Sequence, residues 1–213
     1  MKHNINGDSS MSSIKLTADS GGGTFEIKAP SSGSNARVLT LPDSSSGTVL
    51  TTTNPKSGNV LQVVSSVKTD TASASVSRTS DWVGHGLSVS ITPSSASNKI
   101  LITGQISISE VNAGNSGVNV VLYKDGSALT GATGDAASNR KRATAGDEVD
   151  FGFAATSLPF HYLDTAGGTS SITYQPALNN HHSTGHTMYV NRTYDDTDDA
   201  SYVRTISIIT VME

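Results

Sequence analysis

The sequence has no cysteine, so disulfide frameworks, thiolate zinc sites and thiol nucleophiles are excluded together. It has a single Trp, and only 15% of its residues are charged. No run approaches the ~20 consecutive apolar residues of a membrane-spanning helix. Met1 to Ser10 lacks the apolar core of a secretory signal. There is no long basic run, and 14 Lys and Arg against 18 Asp and Glu leave a net charge of −4, which argues against nucleic acid as the main partner. What is abundant is Ser and Thr, roughly 28% together and well above an ordinary soluble domain. Low charge with much Ser, Thr and Gly also fits disorder, but disordered chains carry few β-branched residues. Here Val, Ile and Thr are plentiful, and they favour strands. The chain reads as folded, soluble and all-β.

A composition shift divides it into unequal parts. Residues 1–57 hold their few large apolar residues in short bursts, Ile14-Lys15-Leu16-Thr17, Thr24-Phe25-Glu26-Ile27-Lys28, Arg37-Val38-Leu39-Thr40-Leu41 and Thr48-Val49-Leu50. Gly, Pro, Asp and Ser punctuate them, the pattern of short strands joined by turns. So small a segment, without cysteine, cannot close a core alone and must pack on the rest of the chain or on copies of itself. From Gly58 the strands lengthen. Lys99 to Ser109 alternates, with Ile100, Ile102, Ile106 and Ile108 on one face, as expected of a half-buried strand. Val118, Val120 and Leu122 continue the pattern, and Lys124-Asp125-Gly126-Ser127 predicts a hairpin turn. Val149, Phe151 and Phe153 share one parity, as do Ile172 and Tyr174, then Met188 and Val190. The segment Arg204 to Met212 is apolar on both parities, which predicts a strand lying between two sheets or between a sheet and a neighbouring subunit. About eight strands over ~155 residues fit a Greek-key or jelly-roll sandwich with almost no helix.

The order of several pieces carries a resemblance. Met11 to Thr24 followed by Glu26-Ile27-Lys28-Ala29-Pro30, then Leu39-Thr40-Leu41-Pro42-Asp43 and Gly47-Thr48-Val49-Leu50-Thr51-Thr52, resembles the opening of virion fibre proteins of tailed bacteriophages, cyanophages especially. Gly58 to Val64, Leu87 to Ser95 and Asn98 to Leu101 resemble the start of their C-terminal domain, and Tyr189 to Thr193 with Asp198 to Tyr202 and Arg204 to Glu213 resembles its end. Residues 110–185 match only loosely. The resemblance implies a virion structural protein on the particle surface, made in the bacterial host cytoplasm. It implies a homotrimer with a β-stranded shaft capped by a β-sandwich, and no reaction. Long tail fibres carry a large anchoring region that this chain hardly has, so a short fibre or a capsid-surface protein fits as well. The expected fold is all-β, with a shaft-like trimerisation region at 11–57 and a jelly-roll-like antiparallel sandwich at 58–213. Residues 1–10 are expected to dock on other virion proteins of capsid or tail, with Ile5 the apolar anchor and the sandwich outward. A trimer also follows from unpaired strand edges, which three copies closed around an axis would cover.

Four clusters are candidates for chemistry or binding. Phe160-His161-Tyr162-Leu163-Asp164, just after Pro159, is read as an aromatic and polar loop for a host cell-surface glycan, the adhesin alternative to a purely structural role. The same Phe160 and Tyr162 would serve as sandwich or interface packing. His181, His182 and His186 supply imidazoles for a transition metal such as Zn, Ni or Fe, in a site that three copies around an axis could assemble, although Asn179-Asn180 and Gly185 mark a turn that a solvated loop explains. Asp195, Asp196, Asp198 and Asp199 offer carboxylates for Ca²⁺ without the EF-hand spacing. Asn139-Arg140-Lys141-Arg142 is the basic cluster, suited to an acidic glycan or an acidic neighbour. No Gly-x-Ser-x-Gly elbow appears, His85 has no recognisable partner, and the four glutamates (Glu26, Glu110, Glu148, Glu213) form no pair. No enzymatic activity and no cofactor are expected, nor membrane insertion.

Overall fold

The computed structural model describes residues 13–17, 24–28, 58–110, 116–149 and 153–213. The chain divides into two compact units, Met1–Val49 and Leu50–Glu213. In the first, β1 (Ser13–Thr17) and β2 (Thr24–Lys28) form an antiparallel hairpin in which Ile14 lies opposite Ile27 and Leu16 opposite Phe25. These are two of the expected short bursts. The expected docking segment 1–10, with Ile5, and the remaining bursts of the shaft region lie outside the described residues.

The second unit is all-β, with two antiparallel sheets in a sandwich and one 3₁₀ turn at Thr130–Ala132. One sheet contains β3 (Val63–Lys68), β4 (Ala72–Val76), β6 (Lys99–Glu110), β10 (Thr156–Thr165), β12 (His186–Val190) and β13 (Ser207–Met212). The twelve-residue β6 is its spine. Its one edge takes β10, and its other takes β13 along the first half and β12 along the second. β3 pairs β13 and β4 pairs β12. The opposing sheet contains β5 (Val89–Ile91), β7 (Ser116–Lys124), β8 (Ser127–Ala128), β9 (Ala145–Val149) and β11 (Ile172–Asn180), with β11 and β9 both paired to β7.

The alternation in the sequence explains which faces meet. Ile100, Ile102, Ile106 and Ile108 of β6 point inward and are fully buried, opposite Val118, Val120 and Leu122 of β7 and Ile172, Tyr174 and Leu178 of β11. Full burial of such side chains contributes about 1.5–3 kcal/mol each. The interruption at Gly104 is steric, because a Cβ there would meet the backbone oxygen of Ile208 on β13 and the Phe160 ring at 2.8 Å. Pro159 has no N–H to donate, and it sits in β10, which among the described strands pairs only β6. The β7–β8 turn places Asp125 at φ 49° and Gly126 at φ 78°, the left-handed pair of the expected Asp-Gly hairpin.

Two expectations are corrected. β9 ends at Val149, and Phe153 is 61% exposed rather than a continuation of that strand's buried face. Phe151 lies outside the described residues. The doubly apolar C-terminal segment becomes a strand only from Ser207, with Ile209 and Val211 in the core and Ile208 and Met212 half-buried on the outer face.

Several polar groups in this interior are held by hydrogen bonds. Asp164, at an inward position of β10, accepts hydrogen bonds from Tyr174 Oη at 2.7 Å and Lys124 Nζ at 2.8 Å, tying one sheet to the other. Asn191, left-handed at φ 61°, donates to the carbonyls of Lys68 and Asp70 and accepts from Ser207 Oγ. The Glu213 carboxylate accepts from Ser94, Asn98 and Gln62.

Candidate functional site

The outer face of the β6 sheet is built by register. Val63 of β3 lies opposite Met212 of β13, Met212 opposite Leu101 of β6, and Leu101 opposite Leu163 of β10. One side chain from each of four strands thus forms an apolar row. Val63 is 57% exposed, Leu163 55% and Leu101 37%. Four residues along, Val67, Ile208, Gln105 and Pro159 form a parallel row, with Ser65, Thr210, Thr103 and His161 between the two. Scattered exposed apolar residues are ordinary, whereas these side chains lie side by side on one sheet face.

The glycan-loop expectation for Phe160, His161, Tyr162 and Asp164 is overturned as to place. These residues lie inside strand β10, and its alternation disperses them. Phe160 is 2% exposed in the core, Tyr162 packs against the core, and Asp164 is held by Tyr174 and Lys124. Only His161 faces solvent, within the outer sheet face. A run of alternating residues after Pro159 is as consistent with an edge strand as with a loop, and the strand won.

The basic cluster does reach a concavity. A cleft of about 630 Å³ is lined by Arg78, Arg140, Lys141, Arg142, Asp81 and Asn119, with His181 at its border. Asp81 is its one carboxylate, and it is engaged by Lys141 Nζ, by Asn179 Nδ2 and by the Tyr123 hydroxyl at 2.6 Å. Burial, and then the hydrogen bond to Asp81, push the Tyr123 phenol up to about 12, so it stays a donor. Arg142 is fixed by the carbonyls of Gly134 and Thr130, at 2.6 and 3.2 Å. Four cations against one carboxylate leave the cleft positive. Sequence reading found Arg140 to Arg142 but missed Arg78 and Asp81, which come from the distant β4–β5 segment.

The histidines are brought together by the turn between β11 and β12. The rings of His182 and His186 stack with centroids 3.6 Å apart and 7° between planes, and His181 lies 3.9 Å from His182. His182 and His186 are half-buried, so the solvated-loop reading holds only for the exposed His181, Ser183, Thr184 and Gly185. Burial, followed by the charges of His181 and His186, lowers the His182 pKa from its ordinary value. Beside them stands Glu110, the last residue of β6 and 3% exposed. Its Oε1 accepts a hydrogen bond from Asn180 Nδ2 at 3.2 Å, and Asn180 Oδ1 accepts the backbone N–H of His182 at 3.1 Å. Glu110 was missed in the sequence, yet the signal was there: it shares the parity of Ile106 and Ile108, which point inward.

Asp196, Asp198 and Asp199 line one concavity with Arg204, but no three of the described acidic residues are close enough to share an ion. Asp195, Asp196, Asp198 and Asp199 are exposed between β12 and β13. Asp196 pairs with Arg204 at 2.7 Å and Arg192 at 3.4 Å, and Asp199 accepts the backbone N–H of Ser201, which lowers its pKa. Among the described residues, Glu110, His182 and His186 are the group of His and carboxylate side chains close enough to share an ion. His85 is a buried structural residue. Its Nδ1 accepts the Leu87 N–H and its Nε2 donates to the Pro176 carbonyl at 2.6 Å, while burial lowers its pKa.

No family model matches the chain, tail-fibre families included. No curated protein matches it either. Among solved structures, it is similar to the C-terminal domain of EclA, described as a sugar-binding protein, with a TM-score of 0.32, 14% identity, and coverage of 66% of this chain and 78% of that one. It is also similar to a chain of the T=1 particles derived from infectious bursal virus, with a TM-score of 0.36, 11% identity, and coverage of 87% and 42%. A third is the Gx strain of infectious bursal disease virus, with a TM-score of 0.33, 13% identity, and coverage of 88% and 42%. The chain spans less than half the length of these two viral chains. At such scores the likeness carries no function across, and the functional reading rests on this chain's own residues.

Proposed function

We propose that the chain is a non-enzymatic structural protein of a phage particle, a short homotrimeric fibre or decoration on tail or capsid, docked through its N-terminal segment with the sandwich outward. The observation that carries this reading is the exposed apolar row Val63–Met212–Leu101–Leu163 across four strands. It gives the sandwich a face that a neighbouring copy would cover, each Å² of apolar surface removed from water contributing ~25 cal/mol. Three copies closed around an axis cover the row on every copy without leaving a surface for open-ended growth. The sequence resemblance to phage fibre proteins supplies the number three and the virion. The non-enzymatic reading is supported by the engagement of the candidate acid and base groups. Asp164 is held by Tyr174 and Lys124, Asp81 by Tyr123 and Lys141, and His85 by its two backbone partners. Light scattering on the full chain at micromolar concentration tests self-association: three times 22.0 kDa, about 66 kDa, is expected. Leu101→Lys with Leu163→Lys is expected to return it to a folded monomer. A monodisperse wild-type monomer would overturn the oligomer.

The adhesin reading is favoured by one specific observation, the basic cleft. Arginine forks recognise carboxylate, sulfate and phosphate groups bidentately, so the glycan class it fits is acidic. Arg140→Glu with Arg142→Glu is expected to abolish binding of a carboxylated or sulfated oligosaccharide. Equal retention of neutral and acidic sugars by the wild type would remove this role.

A further inference from the structure

Glu110, His182 and His186 come from the end of β6, the β11–β12 turn and the first residue of β12, and their ligand atoms all lie within 4.8 Å of one another. Glu110 Oε1 is 3.6 Å from His182 Nε2 and 3.7 Å from His186 Nδ1. These separations are too long for hydrogen bonds. They are close to the spacing of two ligands on one ion, since metal–ligand bonds of ~2.0–2.1 Å at a tetrahedral angle put neighbouring ligand atoms about 3.4 Å apart. The same two nitrogens, His182 Nε2 and His186 Nδ1, are buried without a hydrogen-bond partner. Buried polar atoms are nearly always satisfied, so two orphaned imidazole nitrogens within 4 Å of one carboxylate oxygen need an explanation. A cation held between them satisfies both once the stacked rings, now 7° from parallel, turn their in-plane lone pairs onto it.

We propose that Glu110, His182 and His186 form a single-chain binding site for a divalent transition metal of the zinc type, with a fourth coordination position left for water. Two imidazoles and one carboxylate are a donor set for Zn²⁺ or Co²⁺ rather than for Ca²⁺ or Mg²⁺, which take oxygen ligands. His181 does not belong to the set, because it is not among the side chains whose ligand atoms lie within 4.8 Å of one another, and its Nδ1 instead accepts the Gly117 N–H at 2.7 Å. Asn180 supplies the outer support that metal sites use to orient their ligands, with one amide atom on Glu110 and the other on the His182 backbone. The ion would pin the β11–β12 turn to the end of β6, a crosslink in a chain that has no cysteine to make one. All three ligands come from one chain, so the site stands whether or not the protein trimerises.

The test uses the full chain, stripped with chelator and without any affinity tag. Co²⁺ is titrated by visible absorption, and Zn²⁺ by competition with a chromophoric indicator and by thermal shift. One equivalent per chain is expected, with the intense visible bands of four- or five-coordinate Co²⁺ and a raised melting temperature in Zn²⁺. His182→Ala and His186→Ala, at half-exposed positions that leave the core intact, should each weaken binding at least ~10-fold, and Asn180→Ala should weaken it by a similar or smaller factor through its support of the ligands. Glu110→Gln is the third ligand variant, read only if its circular dichroism matches the wild type. His161→Ala, on the distant outer face, should bind as the wild type does. The proposal is overturned if the wild type binds neither ion at micromolar concentration. It is equally overturned if His182→Ala and His186→Ala bind with unchanged affinity, or if Co²⁺ keeps the weak octahedral spectrum of the free ion.

Discussion

Replacing Asp164 by Ala should destabilise the sandwich by about 1–4 kcal/mol, a figure that follows from what the carboxylate satisfies. The Tyr174 hydroxyl donates to it at 2.7 Å, and Tyr174 is fully buried, so without Asp164 that O–H has no acceptor in place, at about 1–3 kcal/mol. Lys124 loses an ion pair of 2.8 Å but keeps the carbonyls of Thr165 and Ala166, each at 3.0 Å. Its side chain remains 23% exposed, so that loss adds only ~0–1 kcal/mol. Tyr174→Phe removes the hydrogen bond while leaving Asp164 paired with Lys124, and should cost about 1 kcal/mol. If the two groups act through each other, the double variant is less destabilised than the sum of the singles, by about 1–2 kcal/mol. Urea unfolding followed through the single tryptophan, Trp82, is the assay, because Trp82 bridges to Leu178 on β11, the strand that carries Tyr174. Additive single effects, or a loss below ~0.5 kcal/mol for Asp164→Ala, would refute the cross-sheet bridge.

Three further outcomes are expected. At Glu213, burial raises the carboxyl's pKa, but hydrogen bonds from Asn98, Gln62 and Ser94 outweigh it and hold the group at about 2 against an ordinary 4.5. Its stabilising contribution is therefore complete above pH 4.5 and is lost as pH falls toward 2, and Glu213→Gln should flatten acid unfolding in that window and cost about 2 kcal/mol at neutral pH. Gly104→Ala puts a methyl against the Ile208 carbonyl and the Phe160 ring and should cost about 1–3 kcal/mol by thermal melting, although alanine is otherwise the milder strand residue. Deleting residues 1–10 should leave the sandwich and its oligomer intact in solution while abolishing incorporation into particles. Full occupancy of the truncated chain on particles would refute N-terminal docking.

The fold was legible where one physical signal was unopposed. Alternation along β6, β7 and β12 assigned inward residues correctly, because a half-buried strand permits only one register, and Asp125-Gly126 placed its hairpin because few residues tolerate that backbone. The same alternation, applied to Phe160 through Asp164, would have placed Phe160 inward and His161 outward, but Pro159 and the mixed polarity suggested a loop. Phe153 misled by parity alone, since β9 stops before it. The candidate sites were less legible because they are made by distant segments. Arg78 and Asp81 meet Arg140 and Lys141 only through the packing of the two sheets. Glu110 meets His182 and His186 only because β12 runs beside the end of β6. A carboxylate at an inward strand position was the one local clue, and it acquires meaning only once its neighbours are known.

Whether the chain is a virion component that assembles by its outer sheet face is decided by an image of the intact particle with the chain placed. Density for the sandwich is expected in groups of three, pointing outward, with Val63, Leu101, Leu163 and Met212 covered by a neighbouring copy and the N-terminal segment against the particle. A particle lacking the chain would contradict it, as would one carrying single copies with that face exposed to solvent.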